Sequence, residues 1–336
     1  MAESSAKPGI IPATRPGFRR HRISVDPRGS REQAMKIKAF LTALLMLAAS
    51  SALAAARADI VVEGVQMPVW VEHASGARDP LVTGKALANK DRIYTGPGAR
   101  ALLRLADGSL ISLGENGQFV LDDLGQRKFN QKDVVTMSLD VVSGAFRFTT
   151  QALYKFRGER DVKITIATLT TGIRGIDSYG ARPTRLWGKA DKTRAIVCLL
   201  DGAITVARGP NAFTLAQPMS FYIAPRNEPP LPVAPVSQQQ LDEWLAETGI
   251  VFGVGALHQG GKWKVYLADA DTQEAALAIY DGLREAGFPA EIRPVKAEAG
   301  LIYRVRVSHL PSRQEAEALA GKLKGRTGIA EPKVSM

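Results

Sequence analysis

The segment 262–336 repeats one pattern twice, and a repeated unit restricts a fold more than any single motif does. Lys262 to Leu267 alternates so that Trp263, Val265 and Leu267 point one way, which predicts a strand. Asp271 is placed to cap a helix over Thr272 to Ala286, with Ala275, Leu277, Ala278 and Leu283 as its small or apolar positions and Gly287 as its stop. Phe288 to Val295 reads as a second strand. The unit then recurs: Leu301 to Val307 is a strand, Ser312 caps a helix through Leu323, Gly325 and Gly328 break it, and Ile329 to Val334 forms the last strand. Two βαβ units of about 35 residues predict a four-stranded sheet with both helices on one face, an α+β fold of ferredoxin or RNP type, with the first and third strands paired at its centre.

The region 59–235 reads as β almost throughout. Short runs of Val, Ile, Leu, Thr and Phe alternate with turn signals at Ser75-Gly76, Gly96-Pro97-Gly98, Asp107-Gly108, Ser143-Gly144 and Asp201-Gly202. Arg100 to Leu105 and Ser109 to Leu113 flank Asp107-Gly108 as a hairpin, since Asp-Gly reaches positive φ cheaply. Many short antiparallel strands predict a sandwich, a barrel or a solenoid-like roll. Prolines at 225, 229, 230, 232 and 235 end this domain. The segment 236–261 reads as a short helix, capped by Ser237 and carrying Leu241, Trp244 and Leu245 on one face, followed by a flexible glycine-rich connector at Gly253, Gly255, Gly260 and Gly261. Trp244 is expected to pack that helix onto the β domain.

The N-terminal region explains the charge. The chain of 336 residues has a formal net charge of +11, with seven Lys or Arg against three acids in residues 1–34 alone. Residues 39–56 are uncharged and apolar, follow Lys36 and Lys38, and lead into Ala52, Ala54, Ala56 and Ala58. That three-part layout predicts a signal peptide over 35–58, a cleaved leader and a periplasmic protein. The rival is an uncleaved inner-membrane anchor, because about 18 apolar residues just span a bilayer. Residues 1–34 read as a disordered basic extension, with Met35 as an alternative start. From residue 59 onward the charge is nearly balanced, so it gives no reason to expect nucleic acid as a partner.

Motifs for chemistry are missing. His21, His73, His258 and His309 fall at no metal-ligand spacing, and neither a nucleophile elbow nor a phosphate loop occurs. Cys198 lies alone in an apolar strand and reads as a buried hydrophobe. Arg174 and Asp177 flank a glycine turn and read as a structural pair. The expectation is no enzyme, no cofactor, no metal and no catalytic residue.

Two family resemblances sharpen this picture. Val65-Gln66-Met67-Pro68-Val69-Trp70-Val71, Asp91 to Ala101, Leu105 to Ser109, Leu113 to Asn116, Gly144 to Thr150 and Thr171 to Asp177 resemble, in order, the segments of the FecR domain. Ile176 stands where that family prefers Thr. Gly287-Phe288-Pro289-Ala290, Tyr303 to Val307 and Ser312 to Ala318 resemble the SPOR domain. The SPOR pattern Val-Gln-Leu-Gly-x-Phe appears here as Val265-Tyr266-Leu267-Ala268-Asp269-Ala270, and Val-Gly-Pro-Phe as Val307-Ser308-His309-Leu310. The SPOR resemblance implies binding to peptidoglycan, chiefly to glycan strands stripped of their peptides, and a link to cell division. The FecR resemblance implies a module that meets other envelope proteins. The alternative it leaves is a membrane-anchored sensor transmitting an envelope signal.

Alternation places the candidate surface on the open face of the C-terminal sheet. If Trp263, Val265, Leu267, Tyr303, Val305 and Val307 face the helices, then Lys264, Tyr266, Arg293, Arg304 and Arg306 face outward, joined by Glu291. These five are the expected peptidoglycan-binding residues. The RNA-binding use of such a sheet stacks bases on paired aromatics, which the central strands do not supply.

Overall fold

In the middle of the chain, alternating apolar residues between turns do form strands. The computed structural model describes residues 60–129, 132–150, 159–174, 183–298 and 300–336. The basic extension, the leader at 35–58 and the glycine turn at 175–177 lie outside the described residues. The first strands are β1 (Ile60–Gln66), β2 (Val69–Glu72), β3 (Arg78–Pro80), β4 (Arg92–Thr95), β5 (Arg100–Leu105), β6 (Leu110–Leu113), β7 (Gln118–Phe129) and β8 (Lys132–Thr149). β9 (Glu159–Ile166), β10 (Leu169–Arg174), β11 (Arg185–Ala190), β12 (Arg194–Asp201), β13 (Ile204–Arg208), β14 (Asn211–Leu215), β15 (Ser220–Pro225) and the short β16 (Ala234–Pro235) follow. Helix α1 (Gln238–Ala246) and β17 (Leu257–His258) complete the unit.

These strands make two ladders that share β8. One runs β17-β1-β5-β6-β8-β11-β12-β15-β16. The other runs β3-β2-β4-β7-β8-β9-β10-β13-β14. Val62, Leu103, Ile111, Phe146 and Val197 of the first meet Val71, Ile93, Phe119, Leu139 and Ile164 of the second in one fully buried core. Of the three architectures the sequence allowed, this is the sandwich.

The hairpin over Asp107-Gly108 forms as expected, but Ser143-Gly144 is not a turn. β8 pairs with β7 as far as Ser143 and with β11 from Gly144, so the strand runs through this point and crosses from one sheet to the other. Gly144 sits at φ +93°, and a Cβ there would come within 2.6 Å of the Gly117 Cα, so the crossing needs glycine. Because β8 ends in the other sheet, the chain re-enters the second ladder as β9 running parallel to β8, an exception to the antiparallel pattern.

α1 begins at Ser237, whose hydroxyl accepts from the Gln240 backbone N–H at 3.2 Å. Its Trp244 stacks on Trp187 with ring centroids 4.5 Å apart and planes 3° from parallel, which fixes the helix over the outer face of β11 and β12. Cys198 is fully buried in the same cluster, and burial pushes its thiol up to about 12.

The C-terminal unit comprises β18 (Trp263–Ala270), α2 (Gln273–Glu285), β19 (Glu291–Ala297), β20 (Gly300–Leu310), α3 (Arg313–Leu323) and β21 (Lys333–Ser335). The sheet order is β19-β20-β18-β21, with the first and third strands at the centre as the double repeat requires. Some details differ from the sequence reading. Thr272, not Asp271, caps α2 through a bond to the Ala275 N–H at 3.2 Å. Within α2 it is Ala276 and Leu283 that are buried, whereas Leu277 is exposed. The second strand starts at Glu291, because Phe288 is buried in the turn after Gly287.

The connector before β18 is strapped down rather than flexible. Leu257 and His258 pair with Val65 and Gly64 of β1. The nearly inaccessible Glu315 carboxylate accepts from the backbone N–H groups of Gly253 (2.6 Å), Gly255 (2.6 Å) and Ala256 (2.8 Å). The helices also dock on the β sandwich. The Trp70 indole donates to the Glu285 carbonyl, Arg284 pairs with Asp79 at 2.8 Å, and the Lys322 ammonium donates to the Met67 carbonyl.

Candidate functional site

With both helices committed to one side, the other face of the C-terminal sheet is left open. Register decides what it carries, because residues directly opposite each other share a face. Tyr266 of β18 lies opposite Arg306 of β20 on one side and Lys333 of β21 on the other. Arg306 and Arg304 in turn oppose Glu291 and Arg293 of β19. Lys264, two residues before Tyr266, opposes Ser335. All five residues expected from alternation therefore share this face, while Val265, Leu267, Val305 and Val307 are buried beneath it.

The structure adds what alternation could not reach. A bulge between Tyr266 and Ala268 shifts the phase of β18, so Asp269 rather than Ala268 lies opposite Arg304. Arg304 donates to Asp269 through Nε at 2.6 Å and Nη2 at 2.7 Å, a two-pronged pair. The same guanidinium lies over the Tyr266 ring, 5.0 Å from its centroid. Glu291 gathers three donors: Ser308 Oγ at 2.5 Å, Arg293 Nε at 2.9 Å and Arg306 Nε at 3.0 Å. Arg293, Arg304 and Arg306 are thus each paired with a carboxylate. Lys264 makes no ion pair among the described residues.

The charges respond to this network. The Arg304 hydrogen bond, reinforced by the charges of Arg304 and Lys333, holds the Asp269 carboxyl below its ordinary value. Burial opposes ionisation of Glu291, but its bonds to Ser308, Arg306 and Arg293 outweigh burial and hold it low as well. Two shallow hollows flank the Tyr266–Arg306 row. One, of about 310 Å³, is lined by Tyr266, Asp269, Arg304, Glu331 and Lys333. The other, of about 520 Å³, has Lys264, Glu291, Arg293, Arg306 and Ser308 in its lining. The arrangement offers a flat aromatic–guanidinium surface, remaining N–H donors and a surplus of basic over acidic groups.

Sequence reasoning missed Asp269 and Ser308 as parts of the site. Ser308 had a signal, since it departs from the SPOR pattern as Tyr266 does, and both departures land on this face. Among the described residues no cluster of His, Cys, Asp or Glu is arranged to hold a metal ion, and no helix is long and apolar enough to cross a membrane. His73 is engaged by Asp91 at 2.8 Å and Lys85 at 2.9 Å within the β sandwich.

Comparison with known proteins places both resemblances. The family described as SPOR domain matches residues 259–331, and the family described as FecR protein matches residues 91–205. Crystal structures of a "putative anti-sigma factor from Parabacteroides distasonis ATCC 8503", at 1.65 and 2.50 Å resolution, are similar at 15% identity over 70% of this chain and 92% and 91% of theirs, each with a TM-score of 0.34. No curated protein matches the chain. The mainly-β region followed by an α+β unit agrees with the order of the two matched families.

Proposed function

We propose that this chain, a FecR domain followed by a SPOR domain, is an exported, non-enzymatic protein of the cell envelope that binds peptidoglycan glycan strands through the open face of its C-terminal sheet. The observation that carries this reading is the assembled face itself. Tyr266, Arg304 and Arg306 lie together on the two central strands, flanked by Lys264 and Arg293, while both helices are turned the other way. Aromatic and guanidinium planes lie flat against sugar rings, and their N–H groups donate to hydroxyls and carboxylates. The two matched families are binding or regulatory rather than catalytic.

In this reading the β sandwich is a binding or scaffold module for other envelope proteins, set at a fixed angle to the glycan by the docked helices and the strapped connector. Export rests on the leader at 35–58. Mass spectrometry of the mature N-terminus tests it: a start near 55–59 supports a periplasmic protein, and an intact 36–56 segment supports the membrane-anchored sensor instead. Binding is tested by cosedimentation of residues 59–336 with purified sacculi, intact and stripped of stem peptides. Pelleting that increases on stripping is expected. A protein that stays in the supernatant with both would sink the glycan reading.

A further inference from the structure

Two carboxylates on the open face, Asp269 and Glu291, form an organised frame. Asp269 grips Arg304 at two nitrogens, 2.6 and 2.7 Å away, while the guanidinium lies over the Tyr266 ring at 5.0 Å. Glu291 accepts from Arg306 Nε at 3.0 Å and Arg293 Nε at 2.9 Å, with Ser308 Oγ closing the set at 2.5 Å. A free arginine on a solvated sheet samples many rotamers, and immobilising it on binding weakens affinity. One already held at its edge by a carboxylate and backed by an aromatic ring presents its outer face flat at little further entropic cost. We infer that Asp269 is a positioning residue of the glycan site, holding Arg304 against Tyr266 so that a guanidinium–aromatic platform exists before the sugar arrives. The inference rests on the glycan reading above and deepens it.

Charge alone predicts the opposite effect for Asp269. A stripped glycan strand carries carboxylates, so removing a negative charge from the face would strengthen binding if long-range electrostatics governed it. If preorganisation governs, the same change weakens binding. The test is Asp269→Asn in residues 59–336, with Asp269→Glu as the rescue variant, each cosedimented with stripped sacculi and followed by NMR of the Arg304 Nε–H signal. Asp269→Asn should bind about three- to tenfold more weakly and lose the protected Nε–H signal, while Asp269→Glu recovers part of both. The thermal midpoint of Asp269→Asn at neutral pH should fall only slightly, because an exposed pair contributes little to folding. Wild type that pellets beside an Asp269→Asn variant that pellets equally well or better overturns this inference alone. So does weaker binding accompanied by a matching loss of folding. Wild type that fails to pellet overturns the glycan reading and this inference with it.

Discussion

The Glu315 carboxylate lies 2.6 Å from the backbone nitrogen of Gly255, although the two are 60 positions apart. Glu315 is the third residue of α3, after its Ser312 cap, where a Glu ordinarily turns back to the cap's own N–H. Here it reaches instead to the connector and satisfies three N–H groups, of which those of Gly255 and Ala256 would otherwise be buried without acceptors. The link ties the C-terminal unit to the segment that pairs with β1.

Glu315→Ala should therefore lower stability by about 3 kcal/mol or more in urea unfolding, since it strands several buried donors at once. Glu315→Gln keeps an acceptor and should lose about half as much.

The same contact sets the boundary of an autonomous C-terminal fragment. Residues 250–336 carry the strap and should unfold cooperatively at a higher temperature than 262–336, which leaves Glu315 without its partners. Equal midpoints would show that the strap contributes nothing to this unit.

The helix over the β sandwich hangs on its indole stack. Trp244→Ala should cost about 3 kcal/mol and abolish the near-ultraviolet circular dichroism of the Trp187–Trp244 pair, while the far-ultraviolet strand signal stays.

Much of this was legible in the sequence, and the failures share a cause. Alternation placed Val265, Tyr266, Arg304 and Arg306 correctly because regular strands preserve phase. It missed Asp269 because a bulge, which no residue pattern in β18 announces, flips the phase there. Ser143-Gly144 was read as a turn because glycine at positive φ serves a turn and a bent strand equally well. The glycines of the connector suggested flexibility, but glycine also lets the backbone approach a carboxylate closely, and only the fold brings Glu315 there. Asp271 and Thr272 are both good caps, and local sequence does not choose between them.

The carboxylates of the open face give the C-terminal sheet a pH signature. Asp269 and Glu291 both sit below their ordinary values, so the stability they confer is present above the unfolded carboxylate range and is lost as pH falls through their folded values. Wild type should keep its thermal midpoint from neutrality to about pH 5 and lose more of it below about pH 4 than the variant Asp269→Asn with Glu291→Gln. Parallel curves for the two proteins would show that these pairs add nothing to folding.

The most direct measurement is cosedimentation of Arg304→Ala with Arg306→Ala, in residues 59–336, with stripped sacculi at moderate salt. Arg313→Ala is the control, since that side chain is 72% exposed on α3, on the helix side of the sheet. Losing two well-held guanidiniums should weaken binding about a hundredfold, enough to leave the double variant in the supernatant while it still unfolds in one cooperative transition. The control should pellet normally. A double variant that pelleted like wild type would mean that the open sheet is not the surface that meets the glycan.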